Sequence, residues 1–461
     1  MSAIITDPFK KQFMQKIFDE VSDLTARYYV GIGKNDQWNS TETVPTPTDS
    51  PKTIRDAQNA LQSVKAVAAT SFVIPRHNWS SGNEYDGYDD DLTTIPSNTY
   101  YVLTEDNHVY ICLQQSKSGT GAVNKSTVKP TGTSPKPFKT SDGYTWRFLY
   151  GLSASDTSSF LSANFIPVKL VTTASDAFET IQKAAQDSAD AGRIANIIVT
   201  NQGSGYDPSS PPTVTITGNS GAIGDSAQAT PFISSGKIVK IDMLNESAGS
   251  GRNFVNATVT ISGGSGSGAT ARAVLGPPNG IGADPRDELK ATSLMFNSKP
   301  DGTENGDFLA GNDQDFRQVM LIRNPRTDSD NGTILTATTN KALRYLIVDS
   351  AFASQLATDE LITNSLTPPA KAYVNEAVNF GAASGGGMKV YYHQTDSTGF
   401  TPFSVGNTLT DEGAQTGTIA TTADSNEQYI NTSGEVLYIE NRAPVLRTST
   451  QVEDIKVVVT L

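Results

Sequence analysis

The sequence predicts a mainly β fold with a few helices, built as antiparallel sheets flanked by two helices. Short runs of β-branched and aromatic residues recur between clusters of Gly, Pro, Asn, Asp and Ser, a pattern typical of strands joined by turns. Near the N-terminus, two segments instead carry the apolar period of an amphipathic helix. A Gly-rich tract that contains two copies of one unit predicts an additional all-β module.

The two helices are predicted from their caps and their apolar stripes. The first has Asp7 as N-cap and Pro8 at the first helical position. Its stripe is expected to dock on a sheet and consists of Phe9, Phe13, Ile17, Val21 and Leu24. The second begins with Ser50 and Pro51, and its stripe consists of Ile54, Ala57, Leu61, Val64 and Ala68.

Strands are predicted on both sides of the Gly-rich tract. They cover residues 28–32, 72–74, 100–104, 109–113, 146–149, 166–171, 436–439 and 455–459. The last two have clean strand character and are expected to rejoin the N-terminal sheets. The core is therefore discontinuous, with an N-terminal part at 1–185, a return at 281–327 and C-terminal strands at 426–461.

Two insertions are predicted to interrupt this core. Residues 186–280 hold the repeat module, whose first copy passes through 197–199, 203–206, 212–216 and 227–229. The second copy passes through 239–241, 249–251, 257–261 and 271–273. Each copy offers short strands joined by glycine turns and can bury its apolar face only by packing on its sibling. A second β-rich insertion at 328–425 includes the Ala- and Gly-rich patch at 381–387, a strand-like run at 388–392, and a strand at 403–410 joined by a turn to a strand at 417–419.

Composition limits the partners and the compartment. The 461 residues carry 35 Lys and Arg against 48 Asp and Glu, and the net charge of −13 disfavours binding to nucleic acid. Cys112 is the one cysteine, so assembly in a reducing cytoplasm is expected. The sequence has no signal-like N-terminus and no apolar run of transmembrane length, so we expect a soluble protein without membrane insertion.

Catalytic machinery is largely missing from the sequence. The three histidines, His77, His108 and His393, lack metal-ligand spacing, and a GxSxG nucleophile motif is absent, so no cofactor is expected. Cys112 lies in an apolar run and is interpreted as a small buried hydrophobe, with a catalytic thiol as the alternative. The acidic run at 86–91 is interpreted as a solvated loop, with calcium binding as the alternative.

Aromatic residues leave a further alternative open. A sugar-binding face or a packed core or interface could be formed by Trp38, Trp79, Tyr85, Tyr88, Tyr144 and Trp146.

Six segments, in order along the chain, carry a resemblance to a known family. They are YYVGIGKNDQW (28–38), VIPRHNW (73–79), VYICL (109–113), GYTWRFL (143–149), FRQVMLIRNP (316–325) and LYIENRAPVLR (437–447), the last followed by Gln451, Glu453, Asp454 and Ile455. Together they resemble the baseplate wedge subunit family of T-even-type contractile-tailed phages, the gene-product-eight type. The resemblance covers approximately residues 9–172, 288–326 and 434–461, and this chain departs from shorter family members at its two insertions.

The resemblance implies a layered antiparallel β-sandwich formed from both chain ends, without catalytic activity. It also implies a homodimer within each wedge and contacts to other wedge proteins in the tail baseplate of the virion. Motif residues with a structural or an interface role are Trp38, Arg76, Trp79, Trp146, Arg317, Asn324, Glu440, Asn441, Arg442 and Pro444. The charged and amide side chains could fix loops internally or reach a neighbouring subunit, and the tryptophans could serve as core or as interface anchors.

The function expected from these observations is that of a structural wedge protein, which links neighbouring wedge subunits during assembly and contraction. A receptor- or glycan-binding virion tail protein is the alternative, motivated by the Gly- and Ser-rich module and the aromatic residues. A polysaccharide-degrading enzyme is a third possibility that rests only on abundant carboxylates in a β-rich chain.

Overall fold

A computed structural model describes most of the chain. The described residues are 3–35, 38, 41, 43–218, 227, 229–243, 252–311, 313–327, 332–349, 355–379, 387–420, 425–426 and 429–461. They form 26 strands and five α-helices in several antiparallel sheets, so the prediction of a mainly β fold with a few helices is confirmed. The predicted turn at 249–251 and all but the last residue of the patch at 381–387 lie outside the described residues.

The helices and strands are numbered in chain order. The helices are α1 (Asp7–Ser22), α2 (Pro51–Asn59), α3 (Ala154–Phe160), α4 (Ala177–Asp187) and α5 (Pro285–Glu288), with a short 3-10 turn at Glu304–Gly306. The first strands are β1 (Tyr28–Gly33), β2 (Leu61–Ala66), β3 (Ala69–Pro75), β4 (Tyr101–Leu103), β5 (His108–Gln114), β6 (Phe138–Lys139), β7 (Thr145–Gly151) and β8 (Phe165–Val168). The next are β9 (Ile194–Ser204), β10 (Thr213–Gly218), β11 (Ala229–Ser234), β12 (Lys237–Met243), β13 (Ala257–Ser262), β14 (Ser267–Leu275), β15 (Ser293–Ser298) and β16 (Asp315–Arg323). The last are β17 (Thr339–Lys341), β18 (Arg344–Val348), β19 (Leu361–Asn364), β20 (Lys371–Asn379), β21 (Met388–His393), β22 (Thr408–Thr410), β23 (Thr416–Thr418), β24 (Ser425–Asn426), β25 (Glu435–Leu446) and β26 (Ile455–Thr460).

The chain divides into two compact units. The first unit comprises Met1–Met14, Ser71–Leu294 and Thr460–Leu461, and the second comprises Gln15–Thr70 and Met295–Val459. Each unit is thus assembled from segments that are far apart in the sequence.

The first unit contains a four-stranded sheet in the order β4-β5-β7-β6, on which α4 packs against β7. Its core is rich in aromatic residues and includes Tyr110, Trp146 and Phe148. Cys112 lies fully buried in this core, where burial raises the pKa of its thiol well above the ordinary value. A protonated, inaccessible thiol is a poor nucleophile, which favours the interpretation of Cys112 as a packing residue.

The Gly-rich module also belongs to the first unit, and its two copies complete each other's sheets. The first copy contributes β9, β10 and β11, and the second contributes β12, β13 and β14. The first strand of each copy pairs with the third strand of the other, as β9 with β14 and β12 with β11. The two middle strands pair with each other, with Thr215 opposite its equivalent, Thr260. This exchange gives the module a pseudo-twofold arrangement around one apolar cluster.

The second unit contains a five-stranded sheet in the order β17-β2-β1-β16-β25. A second sheet of seven strands, in the order β23-β22-β19-β20-β21-β18-β24, is built from residues 344–426 and encloses its own apolar cluster. Strand β26 lies next to β15.

The second predicted helix is correct at its start and wrong at its end. Ser50 is the N-cap and accepts a hydrogen bond from the Thr53 backbone N–H, but the helix stops at Asn59. Leu61 and Val64, which the sequence places on the helical stripe, are buried in β2 instead. The tertiary pairing with β1 overrides the helical period, and Gly31 leaves room for Leu61, because a Cβ there would lie 2.6 Å from Leu61 Cδ1.

Candidate functional site

Five of the six segments that carry the family resemblance lie on neighbouring strands. In the second unit β1, β16 and β25 hold the segments at 28–38, 316–325 and 437–447, and β16 pairs with both of the other two. In the first unit β5 and β7 hold the segments at 109–113 and 143–149, and they also pair. Motifs separated by up to about three hundred residues in the sequence are therefore paired strands in the fold.

Trp38 and the Glu440–Arg442 segment of β25 form one internal network. Trp38 is 3% exposed, and its indole Nε1 donates to the Arg442 carbonyl oxygen at 2.7 Å. The Arg442 guanidinium pairs with Glu440 at 2.5 Å, and the Tyr438 hydroxyl donates to the other Glu440 oxygen at 2.9 Å. Burial and this hydrogen bond raise the pKa of Tyr438 to about 12. These side chains bind one another within the chain.

Asn441 and Arg317 lie on the same pair of strands and also have partners inside the chain. Asn441 accepts from Gln318 Nε2 at 2.7 Å and donates to the Pro45 carbonyl oxygen at 2.9 Å. Arg317 pairs with Asp315 at 2.8 Å and donates to the Asn35 carbonyl oxygen at 3.0 Å.

The Asp315 carboxylate belongs to a larger buried charge cluster. The Lys34 ammonium lies 2.5 Å from Asp315 and 2.6 Å from Asp359 while its side chain is only 3% exposed. His393 is buried nearby and shares a 2.7 Å hydrogen bond with Asn375. Burial, with the charges of Lys34 and Arg317, lowers the pKa of His393 to about 3, so this histidine is neutral at physiological pH.

Asn324 and Pro444 act on the backbone of the same sheet. Asn324 adopts a left-handed φ of 51°, exchanges backbone and side-chain hydrogen bonds with Arg27, and so closes the end of β1 on β16. Pro444 lies in a bulge, because the register steps from Phe316 opposite Val445 to Gln318 opposite Asn441. A bulge leaves residues outside the ladder, and a residue without an N–H is tolerated there.

Arg76, Trp79 and Trp146 lie in the first unit. Arg76 donates to the Ser162 carbonyl oxygen at 2.8 Å, and Trp79 donates to Ser126 Oγ at 3.2 Å. Trp146 is fully buried and stacks on Tyr144 with ring centroids 5.8 Å apart. Among the ten motif candidates, Trp146 and Trp38 are thus core residues, and the others are partly exposed.

The aromatic residues considered for a sugar-binding face do not form one. Trp38, Tyr85, Tyr88, Tyr144 and Trp146 are all at most 8% exposed. Trp79 is half-buried. A flat, solvent-facing aromatic platform is therefore not built from these side chains.

The acidic run at 86–91 is occupied by internal partners. Asp89 and Asp90 both pair with Arg272 of β14, and Asp90 also accepts from the Leu275 backbone N–H at 2.9 Å. Asp86 accepts from Gln115 at 2.8 Å. Over the residues that the structure describes, no three His, Cys, Asp or Glu side chains come together as a metal site would require.

The N-terminal helix exposes the apolar stripe that the sequence predicts to be docked, so that prediction is wrong. Phe9, Phe13 and Leu24 are 61%, 49% and 58% exposed, whereas Ile17 and Val21 are only half-buried.

The face of α1 that contacts the rest of the first unit is not the one that carries Phe9 and Phe13. Lys11 pairs with Asp284 at 3.2 Å and with Asp287, Lys290 pairs with Asp7 at 3.4 Å, and Met14 is fully buried. At 100° per residue, Phe9 and Phe13 point about 200° away from Asp7 and Lys11 respectively.

Ile4 and Ile5, at 84% and 63% exposed, extend this exposed region, and we call the four residues Ile4, Ile5, Phe9 and Phe13 the N-terminal apolar surface. Large apolar side chains exposed to this degree and close together in the sequence are typical of interaction sites.

Comparison with known proteins leaves the family open. None of the helices in the described ranges is both long enough and apolar enough to span a bilayer. The chain matches no known protein-family model and no curated protein with significant similarity.

Proposed function

We propose that this chain is a structural subunit of a contractile phage tail baseplate, a wedge protein of the gene-product-eight type, located in the virion. It links neighbouring wedge subunits and forms a homodimer within each wedge. The observation that carries the proposal is the convergence of the motif segments on paired strands. Strands β1, β16 and β25 hold three of these segments and are adjacent in one sheet, as expected if the segments form the common core of such a family.

The polar motif residues support a structural role as well. Glu440 and Arg442 pair with each other, whereas Asn441 and Arg317 bond to other side chains and to backbone carbonyls of the same unit. Such a network fixes loop geometry and is the arrangement expected of a rigid subunit that must hold neighbours in register.

The N-terminal apolar surface is the contact that this proposal assigns to a partner subunit. Its two phenylalanines lie one helical turn apart on the face opposite the ion pairs of Lys11 and Asp7, so the helix is held in place from one side and open on the other. Aromatic anchors of this kind supply most of the binding free energy at protein interfaces.

The double substitution Phe9→Ser with Phe13→Ser is expected to weaken capture of the other wedge proteins by at least about 30-fold, because two aromatic anchors are lost. The measurement is a pull-down titration with purified wedge proteins of the same phage, with light scattering for the homodimer. Phe232→Ser is the matched control, since Phe232 is similarly exposed, at 50%, on β11.

Two negative outcomes have different meanings. A wild-type chain that stays monomeric and captures no wedge protein would remove the proposed function itself. A wild-type chain that assembles, together with a double variant that assembles equally well, would retain the function and discard the N-terminal apolar surface as the contact.

A further inference from the structure

A cleft of about 340 Å³ opens in the first unit between the four-stranded sheet and the repeat module. Its apolar lining consists of Leu113, Phe138, Ile194, Met243 and Ile281. This volume lies at the lower end of the range of small-molecule sites, and an apolar floor with a few polar groups is their usual composition.

The walls of the cleft are fixed to each other. Gln114 at the end of β5 donates from Nε2 to Asn196 Oδ1 of β9 at 2.9 Å and to the Ile241 carbonyl oxygen of β12 at 2.8 Å. One amide side chain thus joins the sheet to both strands of the module that border the cleft. A ligand entering it would meet a preformed site.

The charged lining has an excess of positive charge. Lys139, Arg147 and Arg193 line the cleft together with two carboxylates, those of Asp190 and Asp242. In an acidic protein with a net charge of −13, a local excess of cations is a departure that points toward anionic ligands.

Each of the two lining carboxylates is itself shared between two cations. Asp242 lies 3.2 Å from the Lys139 ammonium and 2.7 Å from that of Lys240. Burial and the neighbouring charge of Lys139 act to lower the pKa of Lys240, as expected where cations outnumber carboxylates.

Asp190 is shared in the same way. It pairs with Arg193, and its Oδ1 lies 3.5 Å from an Arg252 nitrogen. Arg147, 3% exposed, is held in place by hydrogen bonds from Nη2 to the Ala185 carbonyl oxygen and to Ser188 Oγ, both at 3.1 Å.

We propose that this cleft binds a carboxylate monoanion attached to an aromatic or aliphatic group, either as a free small molecule or as the C-terminal residue of a partner chain. The apolar lining takes the hydrocarbon group, and the Lys139 and Arg193 side chains that line the cleft take the carboxylate through charge-assisted hydrogen bonds. The carboxylates of Asp190 and Asp242 would repel the second charge of a dianion such as a phosphate monoester. A neutral ligand would not pair with the excess positive charge of the lining. This site is independent of the proposed baseplate role.

The test uses the full chain and two matched pairs of probes in isothermal titration calorimetry at low salt. The first pair is 4-phenylbutyrate and its neutral amide, and the acid is expected to bind about tenfold more tightly, a difference of about 1.4 kcal/mol. The second pair is a short peptide ending in Phe with a free or an amidated C-terminus. Tight binding of the small acid alone identifies a small-molecule site, and tighter binding of the free-acid peptide identifies a partner terminus.

Variants locate the binding in the cleft. Lys139→Gln is expected to weaken binding of the acid about threefold or more and to leave the affinity for the amide unchanged, because one positive charge that lines the cleft is removed. Lys237→Gln is the matched control, since Lys237 is exposed on β12 and does not line the cleft. Ala195→Phe places a ring in the cleft and should abolish binding of both probes.

Equal affinity for acid and amide in both probe pairs would overturn the proposal. It would also be overturned if Lys139→Gln and Lys237→Gln had the same effect. Should Ala195→Phe fail to fold, as judged by its thermal unfolding, the two lysine variants still decide the question.

Discussion

Replacing Arg447 with alanine is expected to lower the free energy of unfolding of the second unit by about 3–5 kcal/mol. Arg447 is 2% exposed, and its guanidinium makes two parallel hydrogen bonds with the Glu453 carboxylate, both at 2.8 Å. It also donates to the Leu309 carbonyl oxygen at 3.0 Å and to that of Gly302 at 2.9 Å. Alanine removes these donors together and leaves the Glu453 carboxylate, 8% exposed in its side chain, without its cation.

A paired substitution separates the lost charge from the lost packing. Arg447→Met with Glu453→Leu removes both charges and keeps most of the volume, so it is expected to be less destabilising than Arg447→Met alone. The carbonyl oxygens of Leu309 and Gly302 lose their donors in either case, so both variants are expected to be less stable than the wild type. Urea unfolding, monitored by hydrogen exchange of amides in the second unit, measures the free energy of unfolding of each variant. If the double variant were as unstable as the single one, the uncompensated carboxylate would not be the cause.

This ion pair also illustrates what a sequence can and cannot predict. Arg447 ends one motif segment and Glu453 follows it within six residues, so both residues stand out in the sequence. Their bidentate geometry depends on the turn between them and on carbonyl groups from residues 302 and 309, which sequence spacing does not encode.

Strands with clean β character were predictable because their local pattern and their tertiary environment agree. Strand β5 is an apolar run buried on both faces, and it contains the strand predicted at 109–113. Residues 61–66 have the opposite property, since their helical apolar spacing is overruled by ladders to β1 and β17. The helical propensity of residues 61–66 is therefore overridden by tertiary strand pairing inside the sheet.

Three helices, α3, α4 and α5, were missed, although the caps of α3 and α4 are visible in the sequence. Ser153 and Asp156 form a capping box at the start of α3, and Asp176 caps α4 through the Glu179 backbone N–H. Neither helix has the long apolar stripe on which the helix predictions depend, because α3 is short and the buried positions of α4 include Gln182 and Gln186.

The charged cleft could not be predicted for a different reason. Lys139, Arg147 and Arg193 come from separate segments and carry no common motif. Lys139 and Arg147 lie on the paired strands β6 and β7, and Arg193 joins them because the repeat module packs beside this sheet through Gln114. A composition with a net negative charge even points away from an anion site.

Replacing Glu288 with glutamine is expected to remove a pH dependence from the stability of the first unit. Glu288 is 1% exposed, its Oε1 accepts from the Gly282 backbone N–H at 2.7 Å, and its Oε2 has no hydrogen-bond partner within the described part of the chain. Burial raises the pKa of this carboxyl from 4.5 to about 8 despite the nearby charge of Arg147. The folded protein therefore holds the proton more tightly than the unfolded chain does.

The sign of the effect follows from that difference. The stabilisation by the bound proton is fully present below the unfolded pKa and is lost as the pH rises toward the folded pKa, at about 1.4 kcal/mol per pH unit. Between pH 5 and pH 8 the wild type should thus lose about 3 kcal/mol or more relative to Glu288→Gln. Burying the glutamine amide also lowers the free energy of unfolding, but by an amount that does not depend on pH. The test therefore compares how the free energy of unfolding changes with pH, and not its absolute value. Urea unfolding at several pH values measures it, with the exposed Glu84→Gln as the control that should keep the wild-type slope. An unchanged slope in Glu288→Gln would mean that Glu288 is ionised in the folded protein and that Arg147, rather than burial, sets its charge state.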